Sequence, residues 1–339
     1  MLRYGIPAYR LPRNILAKEI EEIKKLGVEI KCKIRVGRDI SFEEIKKRFD
    51  YVFLAPGVSK SQKMGIEGED MQGILGGIEF LRDFNLHEKN WLREEKRLGE
   101  RVAVIGGGNS AVDAARCALR LGAKVNILYR RRKEDMPAFL EEIKEAEEEG
   151  VKIECLVSPL KIIGVERRVK GLICTKMELG EFDRSGRKKP VPIKGSEFTL
   201  NVDTLIAAIG QRPEDLFEKI IKEIKLQTTN SKLFAGGDIM NGPSTVVKAI
   251  AAGHQAAEEI DKVIRTKNSE SPYKPPLEEK IGIPLIIDED IKELPQARMP
   301  QLIICKRINN SKEVELGFTR EKAIYEAERC LRCDAEIED

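Results

Sequence analysis

Apolar residues along the first hundred positions change spacing repeatedly between helical and strand periods. Pro12–Lys25 predicts a helix, Val28–Lys33 a strand, Phe42–Arg48 a short helix and Tyr51–Leu54 an apolar strand. Polar turns over Ser59–Gly68 lead to a helix near Ile78–Phe84, and the charged stretch His87–Arg97 precedes a strand at Val102–Ile105. From there the pattern reads strand, glycine-rich turn, helix Asn109–Leu121 and second strand Val125–Tyr129. A charged helix, Ala138–Glu149, runs into Val151–Leu156, and short strands are expected within Ile162–Met177 and Glu197–Leu200.

Thr204–Gly210 is apolar without alternation, as expected of a strand buried on both faces of a parallel sheet. A second apolar strand, Leu233–Ala235, precedes the helix Thr245–Ile264. The polar, proline-rich stretch Thr266–Pro276 then reads as a linker. The tail beyond it is too mixed in character to form its own core and is expected to wrap a neighbour.

Composition narrows the classes. A chain of 339 residues with 41% hydrophobic content predicts two domains and an appendage. Sixty basic residues against 57 acidic ones leave a formal charge of +3, which provides no general field for nucleic acid or anionic membrane. The seven cysteines, an odd number spread along the chain, argue against a disulfide framework, and only Cys330 and Cys333 are close in sequence. Without an apolar leader or an uninterrupted apolar run near membrane-spanning length, the expected location is the cytoplasm, with no membrane partner.

Local residues carry the chemistry. The strand Arg101–Ile105 runs into Gly106-Gly107-Gly108-Asn109-Ser110-Ala111, a G-x-G-x-x-A pattern opening a helix. Gly106 would permit the tight turn, Gly108 the approach of a dinucleotide pyrophosphate, and Ala111 close packing of helix on strand. The pyrophosphate would lie at the positive end of the helix, over Asn109 and Ser110. At the end of the second strand, where an NAD site places a carboxylate on the ribose, stand Arg130, Arg131 and Arg132. Cations in that place predict a 2′-phosphate, hence NADP(H). The competing reading is a coincidental glycine-rich turn followed by a solvated basic run. Farther on, Gly236-Gly237-Asp238 follows an apolar strand, and Ser244-Thr245-Val246 opens a helix rich in small residues. A carboxylate there could hold a flavin ribityl chain and the helix end could stabilise a reduced flavin, although Gly-Gly-Asp is also a common turn.

Seven motifs occur in one order: Tyr4–Pro12, Phe53–Gly57, Tyr129–Arg131, Asp135–Ala138, Met177–Gly180, Ala208–Pro213 and Ala235–Asp238. This series closely resembles the small (β) subunit of NADPH-dependent glutamate synthase. It also resembles relatives of that subunit, the N-terminal half of dihydropyrimidine dehydrogenase and the large subunit of the bifurcating ferredoxin:NADP transhydrogenase. The resemblance covers roughly residues 1–264. It implies an α/β fold of two dinucleotide-binding, Rossmann-like domains, the NADP(H) domain inserted in an FAD domain, with an extended C-terminal tail. The implied division is an incomplete FAD domain over residues 1–98, an NADP(H) domain over 99–200, the second FAD part over 201–265 and a linker with tail over 266–339. In that family FAD exchanges a hydride with the nicotinamide, and iron–sulfur clusters carry single electrons to a partner. The implied NADP(H) contacts are Gly106, Gly108, Asn109, Ser110, Ala111, Arg130 and Arg131. Those to the flavin are Gly237, Asp238, Thr245 and Val246, with Gly5, Ile6, Pro7 and Gly210 lining the pocket. No acid or base is required for hydride transfer, so no catalytic side chain is expected.

This chain departs from the family pattern. The sequence starts at the Tyr-Gly-Ile-Pro motif, whereas family members carry before it a cluster-binding segment and a first FAD fingerprint. The expectation is therefore that either a partner polypeptide supplies the missing segment on which FAD binding depends, or the chain is a truncated or split product whose activity is lost. The tail Glu326–Asp334 resembles a family lead-in to an iron–sulfur segment. Two thiolates, Cys330 and Cys333, cannot complete a [4Fe–4S] site, so cluster ligation would be shared with a partner. Three alternatives stay open: a redox dithiol at Cys330 and Cys333, a cysteine pair without function, and an NADP(H)-binding module without redox activity. Cys117, Cys155 and Cys174 read as small apolar residues, and His87 and His254 as solvated or core side chains.

Overall fold

A computed structural model describes residues 1–91, 98–183, 186–226, 232–267, 294–308 and 310–329. Its centre is a five-stranded, fully parallel sheet in the order Ile74–Gly76, Thr204–Ala207, Arg101–Ile105, Lys124–Tyr129 and Lys152–Cys155. The helices Gly77–Trp91, Asn109–Arg120 and Leu140–Glu149 cover one face. Their core includes Phe80, Phe84, Val112, Ala115 and Ile143 packed on Val102, Val104, Val125 and Ile127. An antiparallel layer covers the other face: Val157–Val165, Arg168–Phe182 and Phe198–Asn201 pair in sequence, and Lys188–Pro192 pairs with Arg168–Phe182. Leu172, Cys174, Val169 and Ile162 of this layer meet Ala103, Ile105, Leu128 and Leu205 of the sheet. Strands buried from both sides must be apolar at successive positions, which accounts for Thr204–Ala207, buried throughout.

The sheet takes strands from both flanks of residues 99–200. Beyond it, Val52–Leu54 pairs in parallel with Leu233–Ala235. Leu54, Ile220, Ile221 and Ile239 make a small core there, joined by Phe42 and Phe217. The short antiparallel pair Lys60–Ser61 with Gln211–Arg212 links this unit to the main sheet.

Several sequence expectations change. Val28–Lys33 forms no strand: Val28 and Ile30 are about half exposed, and among the described residues no strand pairs with the segment. The helix expected at Ile78–Phe84 extends over Gly77–Trp91, with a kink at His87. The short strands expected after Leu156 are a long bulged hairpin, and Asp215–Leu226 is a helix that the pattern reading did not place.

The described part of the tail makes contacts with its own chain. Val314 is buried in the main core and donates its amide to the Tyr9 carbonyl at 3.1 Å. Gln301 donates to Glu145, and Arg307 approaches Glu148 at 3.8 Å. Cys330, Cys333 and most of the expected linker lie outside the described residues.

Candidate functional site

A cavity of about 710 Å³ opens where the carboxyl ends of the parallel strands meet the smaller unit. That is the usual ligand position in open α/β sheets, outside the strand ends and at a change in strand order. Its floor is the turn Gly106–Ser110 between the strand Arg101–Ile105 and the helix Asn109–Arg120.

Each residue of this turn has a geometric reason. Gly106 has φ +141°, and a Cβ there would be driven into the carbonyl of Ala208 on the adjacent strand end. A Cβ on Gly107 would meet the Tyr129 ring, whose hydroxyl donates to the Asp135 carbonyl at 2.6 Å. Above Gly108 the space is open, with Pro137 Cγ 3.9 Å from a built Cβ as the nearest neighbour. That opening lets another molecule approach the backbone. Gly108 caps the helix and its carbonyl accepts the Ala111 amide at 2.9 Å, which leaves the amides of Asn109 and Ser110, both in the cavity lining, without an acceptor within the helix. The Asn109 side chain accepts the Phe139 amide at 3.0 Å and so ties the loop before Leu140–Glu149 to the turn. Ala111 is fully buried behind Gly106, in the packing role expected for it, and is not part of the cavity wall.

The three arginines after Tyr129 separate by environment. Arg130 is exposed, lines the cavity, and has no hydrogen bond or ion pair among the described residues. Arg131 also borders the cavity but is 4% exposed. Its Nη2 donates to Asp183 at 2.6 Å and its Nε to the Lys188 carbonyl at 2.9 Å. Arg132 pairs with Asp135 at 3.1 Å, and this guanidinium holds the Asp135 carboxyl below the usual carboxylate range. Sequence reasoning had grouped Arg130 and Arg131 as equivalent ligands; of the two, Arg130 has no hydrogen bond or ion pair among the described residues, whereas Arg131 is bound to Asp183 and Lys188.

The opposite wall comes from residues far away in sequence. Ser61, Gln62, Ile209, Gly210 and Gln211 bring in the linking strand pair, and Pro243, Ser244 and Thr245 lead to the helix Val246–Lys267. The expected residues Gly210 and Thr245 are therefore in the wall. Gly210 lies close against Gln62, whose amide donates to the Gly210 carbonyl at 3.0 Å. Asp238 stands behind the wall and accepts the Ser244 hydroxyl at 2.6 Å. Gly237, Val246, Gly5, Ile6 and Pro7 are not in the lining either. The Gly5–Pro7 segment is fastened instead to the helix Gly77–Trp91: Arg13 donates to the Ile6 carbonyl and to Asn85, and Asn85 donates to the Tyr4 carbonyl. Sequence reasoning missed Gln62, Gln211 and Arg187. Gln211 Oε1 is a buried acceptor beside the cavity with no hydrogen-bond partner among the described residues.

Behind the helix Asn109–Arg120 lies a buried ionic cluster. Arg116 meets Glu142, Glu145 and Glu149 at 2.6, 2.8 and 2.7 Å, Arg120 meets Glu149 at 2.7 Å, and Arg10 bridges Asp113 and Glu142. Both Arg116 and Arg120 lie over the Tyr9 ring, at 4.8 and 4.0 Å from its centroid. Burial pushes the Glu149 carboxyl up, but hydrogen bonds from Arg120 and Arg116 outweigh it and hold the group below its ordinary value. Burial also raises Asp113, and there the Arg10 guanidinium only partly offsets it. This cluster fixes the helix from the side away from the cavity. Among the described residues no cluster of histidine, cysteine and carboxylate suits a metal, and no helix is long and apolar enough to cross a membrane.

Residues 6–253 match the family described as pyridine nucleotide-disulphide oxidoreductase. The chain is 41% identical to the NADP(+)-dependent formate dehydrogenase subunit beta of Moorella thermoacetica, over 98% of this chain and 49% of that protein. It is 35% identical to the glutamate synthase [NADPH] small chain of Escherichia coli, over 77% of this chain and 60% of that one. It thus spans about half to three fifths of these curated relatives. Among solved structures, Mycobacterium tuberculosis FprA in complex with NADPH superposes with a TM-score of 0.62 at 20% identity, over 81% of this chain and 77% of that chain. That similarity bears out the fold class, and the curated relatives bear out the resemblance read from the motifs.

Proposed function

The chain belongs to the pyridine nucleotide-disulphide oxidoreductase family, and on that premise we propose that it is the NADPH-oxidising part of a flavin-dependent oxidoreductase that passes electrons to a partner protein. One observation carries this reading: a single cavity is walled on one side by the Gly106–Ser110 turn with Arg130, and on the other by Gly210, Gln211 and Pro243–Thr245. The glycine-rich turn and the Ser244-Thr245 part of the sequence proposed for a flavin thus border one space.

In this reading the free amides at the start of the helix Asn109–Arg120 bind the pyrophosphate, and the open space over Gly108 lets it approach. Arg130 binds the 2′-phosphate, with Arg131 supporting it from below. A flavin would lie beside the nicotinamide, against the wall of Gly210, Gln211 and Thr245. Gln211 Oε1 is an acceptor awaiting a donor, and Thr245 with the helix after it sets a positive dipole end against the ring. Ser244, held by Asp238, and the Gly237 turn shape that wall, with Val246 next to it. A bound FAD supplies a hydride acceptor that can release electrons singly. The residues of this chain orient the two rings and exclude water, and no side chain has to move a proton for the hydride step. Residues 99–200 would form the NADP(H) portion, flanked by FAD portions over 1–98 and 201–265. Gly5, Ile6 and Pro7 would act on the flavin only through the packing of that flank.

The partner is proposed to be an electron-accepting subunit that carries iron–sulfur clusters, with Cys330 and Cys333 contributing to a shared cluster. Cys330→Ser and Cys333→Ser then lower the iron content of the co-purified assembly. Loss of disulfide reduction without loss of iron would assign the pair to dithiol chemistry instead.

The nucleotide assignment is tested with Arg130→Ser. A charge-assisted hydrogen bond to a phosphate contributes about 1.5–3 kcal/mol, so NADPH affinity is expected to fall roughly 10- to 100-fold while NADH affinity stays unchanged. Equal weakening of both nucleotides would remove the NADP(H) preference. Separately, NADPH added anaerobically to the FAD-reconstituted protein with its co-purifying partner is expected to bleach the flavin absorbance. Nucleotide binding without bleaching would leave a binding module only.

A further inference from the structure

A 2′-phosphate carries a charge of about −1.5 to −2 near neutral pH, and a single guanidinium does not match it. Two of the three consecutive arginines are committed elsewhere, Arg131 to Asp183 and the Lys188 carbonyl, and Arg132 to Asp135. Arg187, which also has an interaction of its own within the protein, is a further arginine bordering the same cavity. It arrives from the antiparallel layer, on the turn between the strands Arg168–Phe182 and Lys188–Pro192.

The turn is built to hold that residue in place. The Asp183 amide donates to the Arg187 carbonyl at 2.7 Å, and the Gly186 amide donates to the Asp183 carbonyl at 3.0 Å. Arg131 grips both ends of the turn, through the Asp183 carboxylate and the Lys188 carbonyl. Because Arg131 lies next to Arg130 at the end of the strand Lys124–Tyr129, its bonds fix the position of the turn relative to Arg130. We propose that Arg187 is a second guanidinium for the 2′-phosphate, delivered by the hairpin, so that nucleotide specificity is set jointly by the parallel sheet and the antiparallel layer. This inference rests on the NADP(H) reading of the cavity and adds a residue to it.

Arg187 is exposed on a turn, so its substitution leaves the core intact. The full-length protein and its variants are titrated with adenosine 2′,5′-bisphosphate and with 5′-AMP, two probes that differ only in the phosphate at issue and require no flavin. Arg187→Ala is expected to weaken the bisphosphate about tenfold, the worth of one charge-assisted contact, and to leave 5′-AMP unchanged. Arg187→Lys should restore part of the loss, and the loss should shrink in high salt. Wild-type affinity of Arg187→Ala for the bisphosphate, with Arg130→Ser weakened, would overturn this inference and leave the NADP(H) reading standing. Wild-type affinity in both variants would overturn both. Equal weakening of bisphosphate and 5′-AMP in Arg187→Ala would also overturn it, since the contact would then not be to the 2′-phosphate.

Discussion

Gly106→Ala is expected to abolish productive NADPH binding while leaving most of the chain folded. The glycine sits at φ +141°, where an L side chain is strained, and its Cβ would press on the Ala208 carbonyl and stand 3.3 Å from the Ala111 Cβ. Neither neighbour can yield cheaply. Ala208 follows the strand Thr204–Ala207 in the interior of the sheet, and Ala111 is fully buried in the helix. The strained conformation alone costs on the order of 1–3 kcal/mol. Relief requires the turn to move away from the strand end, carrying the amides of Gly108, Asn109 and Ser110 with it. A displacement near 1 Å typically costs on the order of 100-fold in rate, so kcat/KM for NADPH should fall at least that far. Nucleotide titration and thermal melting together check this. Unchanged nucleotide affinity in a variant that melts like the wild type would show that the turn does not hold the pyrophosphate.

The second large effect lies on the far side of the same helix. Glu149→Gln should destabilise the protein by about 3–5 kcal/mol at neutral pH, as expected when one partner of a buried ion pair is removed. Both guanidiniums that Glu149 serves are buried, and Arg120 has no other carboxylate partner among the described residues. The pH dependence has a definite sign. The folded-state value of Glu149 lies below its ordinary one, so its contribution is complete above the ordinary carboxylate range and is lost as the pH falls through the lowered value. Denaturant unfolding of the two proteins should therefore differ most near neutral pH and converge on acidification. Asp113 and Glu142, both raised by burial, titrate with the opposite sign, but they are common to both proteins and cancel in the comparison. A stability gap that stays constant down to strongly acidic pH would show that the charge of Glu149 is not what holds the cluster.

The strand Arg101–Ile105, its turn, the helix Asn109–Arg120 and the strand Lys124–Tyr129 were legible to within a residue or two, because each is specified by its own local pattern. Thr204–Ala207 was also legible, because burial on both faces leaves an unbroken apolar run, although the run was read three residues longer, to Gly210. The antiparallel layer was harder to read. Register shifts between Pro159 and Lys161 and between Ile163 and Gly164 interrupt the alternation that marks a strand half buried on one face. Val28–Lys33 failed in the other direction, since its pattern suits a strand but a strand exists only where a neighbour accepts its hydrogen bonds.

For the site, the residues at 106–111 announced a nucleotide turn, and the basic run announced an anion close by, because both features depend on a few consecutive positions. Which arginine faces that anion is a different kind of question. Arg131 borders the cavity but is tied to Asp183, 52 positions along the chain, Arg132 is turned toward Asp135, and Arg130 lines the cavity with no hydrogen bond or ion pair among the described residues. The arrival of Arg187, Gln211 and Thr245 at the same space depends likewise on how the layers stack. Backbone conformation and helix polarity follow from neighbouring residues, whereas the direction of a long charged side chain follows from whichever distant partner the fold brings within reach.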